Sequence, residues 1–157
     1  QTRPDSFDEG LLKQAREAGC SLIHLGIESG VQKFLDESGK RLDLDAAARS
    51  VETCKKAGIR TLAFYLFGFP GETEEEREAT FRFAEQVDTD YVSFHKMCSY
   101  QPGNGYTEGP ARDYHMDKFL RNKYMRYYLN FSRLRKIPLR TMFRSLRLFL
   151  GRLTTLK

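Results

Sequence analysis

The apolar positions fall into two alternating rhythms. Leu11, Leu12, Ala15 and Ala18 recur near helical spacing and stop at Gly19, with Ser6 as the expected cap. SLIHLGIE, residues 21–28, follows as a short continuous apolar run suited to a buried strand. A second helical pattern starts near Asp43, places Leu44, Ala47, Val51 and Cys54 on one side, and ends at Gly58. IRTLAFYLF, residues 59–67, predicts the next strand. Thr73 with Glu76 three residues on is a capping box for a helix to about Val87, and YVSFHKM, residues 91–97, predicts a third strand.

Helix–strand alternation of this kind predicts parallel strands with right-handed crossovers, an α/β class. "EAGCSLIHLGIESG" and "KAGIRTLAFYLFGFPG" repeat the order helix, Ala-Gly, strand, glycine at a separation that suits one βα unit. Ligands of such sheets bind at the carboxyl ends of the strands. Here those ends read Gly26-Ile27-Glu28-Ser29-Gly30, Gly68-Phe69-Pro70-Gly71-Glu72 and His95-Lys96-Met97.

Charge divides the chain more sharply than its total suggests. The net charge is +5, yet residues 1–117 carry 14 Lys/Arg against 21 Asp/Glu, and residues 118–157 carry 12 Lys/Arg and no acid. This predicts an acidic body, residues 1–106, and a basic amphipathic helical extension, residues 107–157. Asp117 is the expected cap of the first tail helix, Pro138 interrupts it, and a second helix follows. Interleaved with Phe, Tyr and Leu, the basic tail 118–157 either packs its apolar side on the body or docks on an anionic membrane surface. It lacks the signatures of RNA-binding modules, so nucleic acid is the least favoured partner.

Cys20, Cys54 and Cys98 lie more than thirty residues apart, too far in sequence for any Cys-x-x-Cys ligand pattern. They read as reduced, mostly buried thiols of a cytoplasmic protein, and no metal site is legible. There is no G-x-G-x-x-G after a strand, no P-loop and no nucleophile elbow, which removes support for dinucleotide, nucleotide-phosphate and serine-hydrolase chemistry.

The Gly68–Glu72 loop lets backbone approach a flat ring or a ribose, because Gly68 and Gly71 carry no side chain. The acidic run Glu72, Glu74, Glu75 and Glu76 at the following helix start disfavours a phosphate and favours a neutral or cationic ligand. The same spacing also suits a plain strand–helix turn. Glu28 can accept two hydrogen bonds from a diol, or serve as a salt-bridge glutamate. Strict alternation places His24 on the same strand face as Glu28. His24 and His95 otherwise read as structural histidines.

"EAGCSLIHLGIESG", "KKAGIRTLAFYLFGFPGETEEE" and "TDYVSFHKMCSYQPGNGY" together resemble the later half of the catalytic domain of radical S-adenosylmethionine enzymes, over about Gln1–Tyr106. Within that superfamily the chain is most similar to the branch that often carries a cobalamin-binding domain. The resemblance implies a partial (β/α) TIM-like barrel, from the end of its third strand through its sixth, followed by the basic helical tail. It implies S-adenosylmethionine as cofactor, an iron–sulfur cluster whose CxxxCxxC ligands are absent from this chain, and cobalamin as an option for the parent enzyme. By position, Glu28 and Ser29 would line the ribose and methionine portion, while Phe67, Gly68, Gly71 and Glu72 would pass the adenine. Pro102 and Gly103 match the family's Pro-Gly after the sixth strand, and Asn104 stands where Thr is common.

The expected function is therefore part of the pocket of a radical enzyme, for hydrogen abstraction or methyl transfer on a small-molecule or lipid-like substrate. The chain alone is expected to be inactive and to depend on the N-terminal remainder of its parent. Two alternatives stand beside it: a non-catalytic module whose basic tail docks on a membrane or partner, and a cofactor-free barrel fragment of aldolase-like type. The expected location is cytoplasmic, with a membrane-peripheral option for the tail.

Overall fold

A computed structural model describes residues 1–97, 99–101, 105–107 and 114–129. Its compact units are Gln1–Lys123 and Tyr124–Lys157. The first unit is a three-stranded parallel sheet in the order β1 (Leu22–Glu28), β2 (Arg60–Phe67) and β3 (Tyr91–Lys96). Helices α1 (Glu9–Glu17), α2 (Gln32–Glu37), α3 (Leu44–Lys56) and α4 (Glu74–Val87) lie between and before the strands. A two-stranded antiparallel ladder, β4 (Ser99–Gln101) with β5 (Gly105–Thr107), follows, and then α5 (Tyr114–Leu129).

Thr2 extends the sheet beyond β1. Its amide donates to the His24 carbonyl at 2.9 Å and its carbonyl accepts from the Gly26 amide at 3.1 Å, a parallel bridge to Leu25. The order Thr2, β1, β2, β3 agrees with the expected run from the end of one barrel strand through three more.

Burial follows from strand parity. Thr61, Ala63, Tyr65 and Phe67 of β2 are buried, and Leu62, Phe64 and Leu66 between them are half-buried. The buried side meets the helices: Ile23 packs with Leu12, Cys54 and Ile59, and Phe94 meets Phe81 of α4 at 5.9 Å between ring centres. The other side of the sheet carries His24, Phe64, Ser93 and His95.

Helix α1 starts later than expected. Asp8, not Ser6, accepts the Leu11 amide at 2.8 Å, because Ser6 turns its hydroxyl to the Arg3 carbonyl at 2.7 Å. Helix α2 had no expectation in the sequence; Val31 precedes it without a side-chain cap, and burial of Phe34 and Leu35 holds it. Helix α3 is capped by Asp43 as expected, and buries Ala47, Val51 and Cys54 with Leu44 half-buried. The capping box of α4 is present in both directions. Asp117 lies inside α5, which begins at Tyr114. The expected helix after Pro138, and Pro102 to Asn104, lie outside the described residues. No helix among the described residues is long and apolar enough to cross a membrane.

Candidate functional site

The site lies at the carboxyl edge of the sheet, where β1 and β2 end in unusual backbone. Ile27 forms a bulge, so that Gly26 pairs with Phe64 while Glu28 pairs with Tyr65. Glu28 itself has φ +76°, a left-handed conformation in a non-glycine residue. Such a residue costs on the order of 1–3 kcal/mol and persists only where its surroundings hold it. What holds it is an ion pair: Lys40 Nζ meets Glu28 Oε1 at 2.9 Å, with both side chains mostly shielded.

The carboxylate lies against the α-carbon of Gly26. A methyl group at Gly26 would sit 2.6 Å from Glu28 Oε1 and 3.2 Å from Lys40 Nζ. Glycine there keeps the carboxylate on the sheet face that also carries His24. This is the face that strict alternation assigns to it; the bulge breaks the register after Gly26, and the positive φ of Glu28 returns its carboxylate to that face.

Ser29 is turned the other way. It is fully buried, its hydroxyl accepts from the Val31 amide at 3.0 Å, and it sits 3.3 Å from the Thr80 hydroxyl of α4. Thr80 in turn accepts the Gly30 amide at 3.1 Å. The Ser29 side chain therefore ties the strand end to α4. Phe67 likewise points into the helical layer, 5.6 Å from the Phe94 ring and 5.5 Å from Phe119.

The turn after β2 is closed by its own acid. Gly68, at φ +90°, donates its amide to Glu72 Oε2 at 2.5 Å, and Arg77 Nε approaches the same oxygen at 3.4 Å. The Glu72 side chain is fully buried, and its Oε1 has no hydrogen-bond partner among the described residues. Burial pushes this carboxyl above the usual carboxylate range, against the opposing pull of the Gly68 amide and Arg77. Gly71, at φ +73°, has open space where a side chain would stand.

The start of α4 offers little to an anion. Thr73 and Glu76 satisfy each other's amides at 2.9 and 3.3 Å, and Glu76 is further paired with Lys33 at 2.7 Å. Of the residues singled out from sequence, then, Glu28 and Gly71 stay available at the sheet edge, while the Gly68 amide is committed to Glu72. Ser29, Phe67 and Glu72 shape that edge from behind. Lys40 was missed, because nothing in the sequence connects the loop after α2 to the end of β1.

The cysteines do not form a cluster. Cys54 is buried in the apolar group with Leu12 and Ile59, and burial pushes its thiol up to about 11. Cys20 is half-buried in the same group, at the amino-terminal side of β1. Both are free thiols, Cys98 lies outside the described residues, and no metal-binding group is present among the described residues.

A parallel sheet with helices between its strands, and a shielded acid and glycine-shaped turns along its carboxyl edge, is the architecture of part of a (β/α) barrel. Residues 1–84 match the family model of the radical SAM superfamily, and the chain belongs to that superfamily. It is 39% identical over 93 residues to an uncharacterized methyltransferase of Pyrococcus horikoshii, covering 59% of this chain and 20% of that one. It is 32% identical over 95 residues to the cytidylyl-2-hydroxyethylphosphonate methyltransferase of Streptomyces wedmorensis, covering 56% and 18%. Among solved structures it is similar to the radical S-adenosylmethionine methyltransferase TsrM of Kitasatospora setae with cobalamin and a [4Fe-4S] cluster bound, at TM-score 0.55 and 27% identity, covering 60% and 19%. The Escherichia coli radical SAM enzyme HemN shares the fold at TM-score 0.62 and 14% identity, covering 78% and 31%. The chain spans about a fifth of the length of the curated relatives it matches.

Proposed function

We propose that this chain supplies the later strands of a radical S-adenosylmethionine enzyme and one wall of its cofactor and substrate pocket. The observation that carries this is Glu28: a strained, left-handed residue whose carboxylate is held by Lys40 over a glycine at the carboxyl edge of the sheet. Strain maintained by a dedicated partner is a mark of function.

The residues suit the cofactor chemically. A carboxylate can accept both hydroxyls of a ribose, and an acidic edge tolerates a cationic sulfonium. The Gly68–Gly71 turn leaves backbone open to a flat ring, with Ser29, Phe67 and Glu72 fixing its shape. When bound beside a reduced cluster, the cofactor supplies a radical or a methyl group. The described cysteines do not fit that cluster, since they are separate structural thiols. Cluster and cobalamin would belong to the N-terminal remainder of the parent, and this chain alone would be inactive. The particular chemistry is methyl transfer or hydrogen abstraction, with methyl transfer favoured by the methyltransferase relatives.

The test is S-adenosylmethionine binding by the full-length protein that carries this chain, measured by equilibrium dialysis. Glu28→Gln and Gly68→Val should each weaken binding by about tenfold or more, as expected for loss of a charge-assisted bond or of a required backbone shape. Wild-type affinity in a folded Glu28→Gln protein would overturn the assignment.

A further inference from the structure

The sheet face opposite the helices carries an aromatic row that the cofactor residues do not use. Phe64 stands in its middle. The His24 ring meets Phe64 edge-on at 5.8 Å between centres and 64° between planes. The His95 ring lies on its other side at 5.8 Å and 30°, close to parallel. Ser93, the register partner of Phe64, bonds His95 Nε2 at 2.7 Å and so orients that imidazole. The Glu28 carboxylate lies against Gly26, the partner of Phe64 on β1.

Three imidazole nitrogens in this row are uncommitted. Neither ring nitrogen of His24 nor the Nδ1 of His95 has a hydrogen-bond partner among the described residues. His24 and Phe64 are half-buried and His95 is exposed. Their backbones stand two strands across and four residues along the sheet, about 16 Å apart, and each ring centre lies 5.8 Å from that of Phe64. That is too far to share a metal ion, whose imidazole bonds are about 2 Å long. It is instead the width of a shelf for a flat ring.

We propose that His24, Phe64 and His95 form the substrate shelf of this barrel, and that the substrate is a planar heteroaromatic compound. Its ring stacks on Phe64, where offset and edge contacts between aromatic rings are favourable. Its edge heteroatoms bond the imidazoles, each of which can donate or accept. A saturated ring lacks the face that Phe64 selects, and a plain hydrocarbon leaves the imidazole nitrogens desolvated and unpaired. The shelf adjoins Glu28 across the Gly26–Phe64 pair, so the inference rests on the cofactor reading above and adds the substrate class to it.

The experiment is anaerobic surface plasmon resonance on the full-length protein, with benzimidazole, cyclohexanecarboxamide and S-adenosylmethionine as separate analytes. Benzimidazole should bind saturably and about tenfold tighter than the saturated amide. Phe64→Leu, His24→Ala and His95→Ala should each weaken benzimidazole several-fold and leave S-adenosylmethionine affinity unchanged. If Phe64→Leu lowers the melting temperature, the two histidine variants carry the comparison, because neither imidazole has a hydrogen-bond role in the core. Equal affinity for the two ring compounds, or variants that bind benzimidazole like wild type, would overturn the shelf. Loss of S-adenosylmethionine binding by the wild type, with Phe64-dependent benzimidazole binding kept, would overturn the cofactor reading alone.

Discussion

Gly68 and Glu72 close the turn after β2 on each other: the Gly68 amide meets Oε2 of the buried Glu72 side chain at 2.5 Å. The acid that reads as part of a charged run is thus the internal fastener of the loop. Glu72→Ala removes the acceptor of the Gly68 amide and should destabilise the protein by about 1–3 kcal/mol. Glu72→Gln keeps an oxygen in place and should cost less. Urea unfolding followed by circular dichroism distinguishes them, and equal losses would contradict the hydrogen-bond account.

The same residue sets a pH dependence. Burial raises the folded Glu72 above its ordinary value of 4.5, so the folded protein holds this proton to higher pH than the unfolded chain. Its contribution is complete below 4.5 and is lost as pH rises through the folded value. Asp5, lowered chiefly by its bond to Arg3, acts with the opposite sign and in a more acidic range. Stability measured from about pH 4 to about pH 8 should fall less steeply in Glu72→Gln than in wild type. An unchanged slope would remove Glu72 as its source.

Two glycines of β1 and its exit loop should respond differently to one added methyl. At Gly30 it would lie 2.6 Å from Phe83 Cβ and 2.7 Å from Thr80 Cα, atoms that cannot move without shifting α4. Gly30→Ala should therefore cost about 1–3 kcal/mol. At Gly26 the crowded atoms are the ends of Glu28, Gln1 and Lys40, which can swing aside. Gly26→Ala should fold with little loss yet weaken S-adenosylmethionine binding, because the carboxylate is displaced. Thermal melts of both variants, with dialysis of the second, test the pair.

Thiol reactivity should separate the two described cysteines. Cys54 is fully buried, and its thiol is pushed up to about 11, so little thiolate exists at neutral pH. Cys20 is half-buried and donates to the Leu22 carbonyl at 3.7 Å. Iodoacetamide near pH 8 should modify Cys20 well before Cys54, read by peptide mass spectrometry. Faster labelling of Cys54 would show that the α1–α3 core opens.

Much of the fold was already present in local sequence. Alternation of apolar runs with capped helical patterns determined three parallel strands and their helices, since strand and helix periods differ and each leaves its own burial pattern. The Thr73–Glu76 box determined where α4 starts, because both partners lie within one turn. The glycines and the acid at the strand ends marked the candidate site for the same local reason. Only the tertiary structure decided which way those residues face. The bulge at Ile27 breaks the register, the left-handed Glu28 returns its carboxylate to the face that alternation assigns it, and Lys40, twelve residues on, holds the result. Thr80, fifty residues from Gly30, turned the Ser29 hydroxyl inward, and the Gly68–Glu72 bond took one acid out of solvent. Periodicity reports the average direction of a strand's side chains. Contacts between residues distant in sequence, and single departures from regular backbone, decide the few directions on which a site depends.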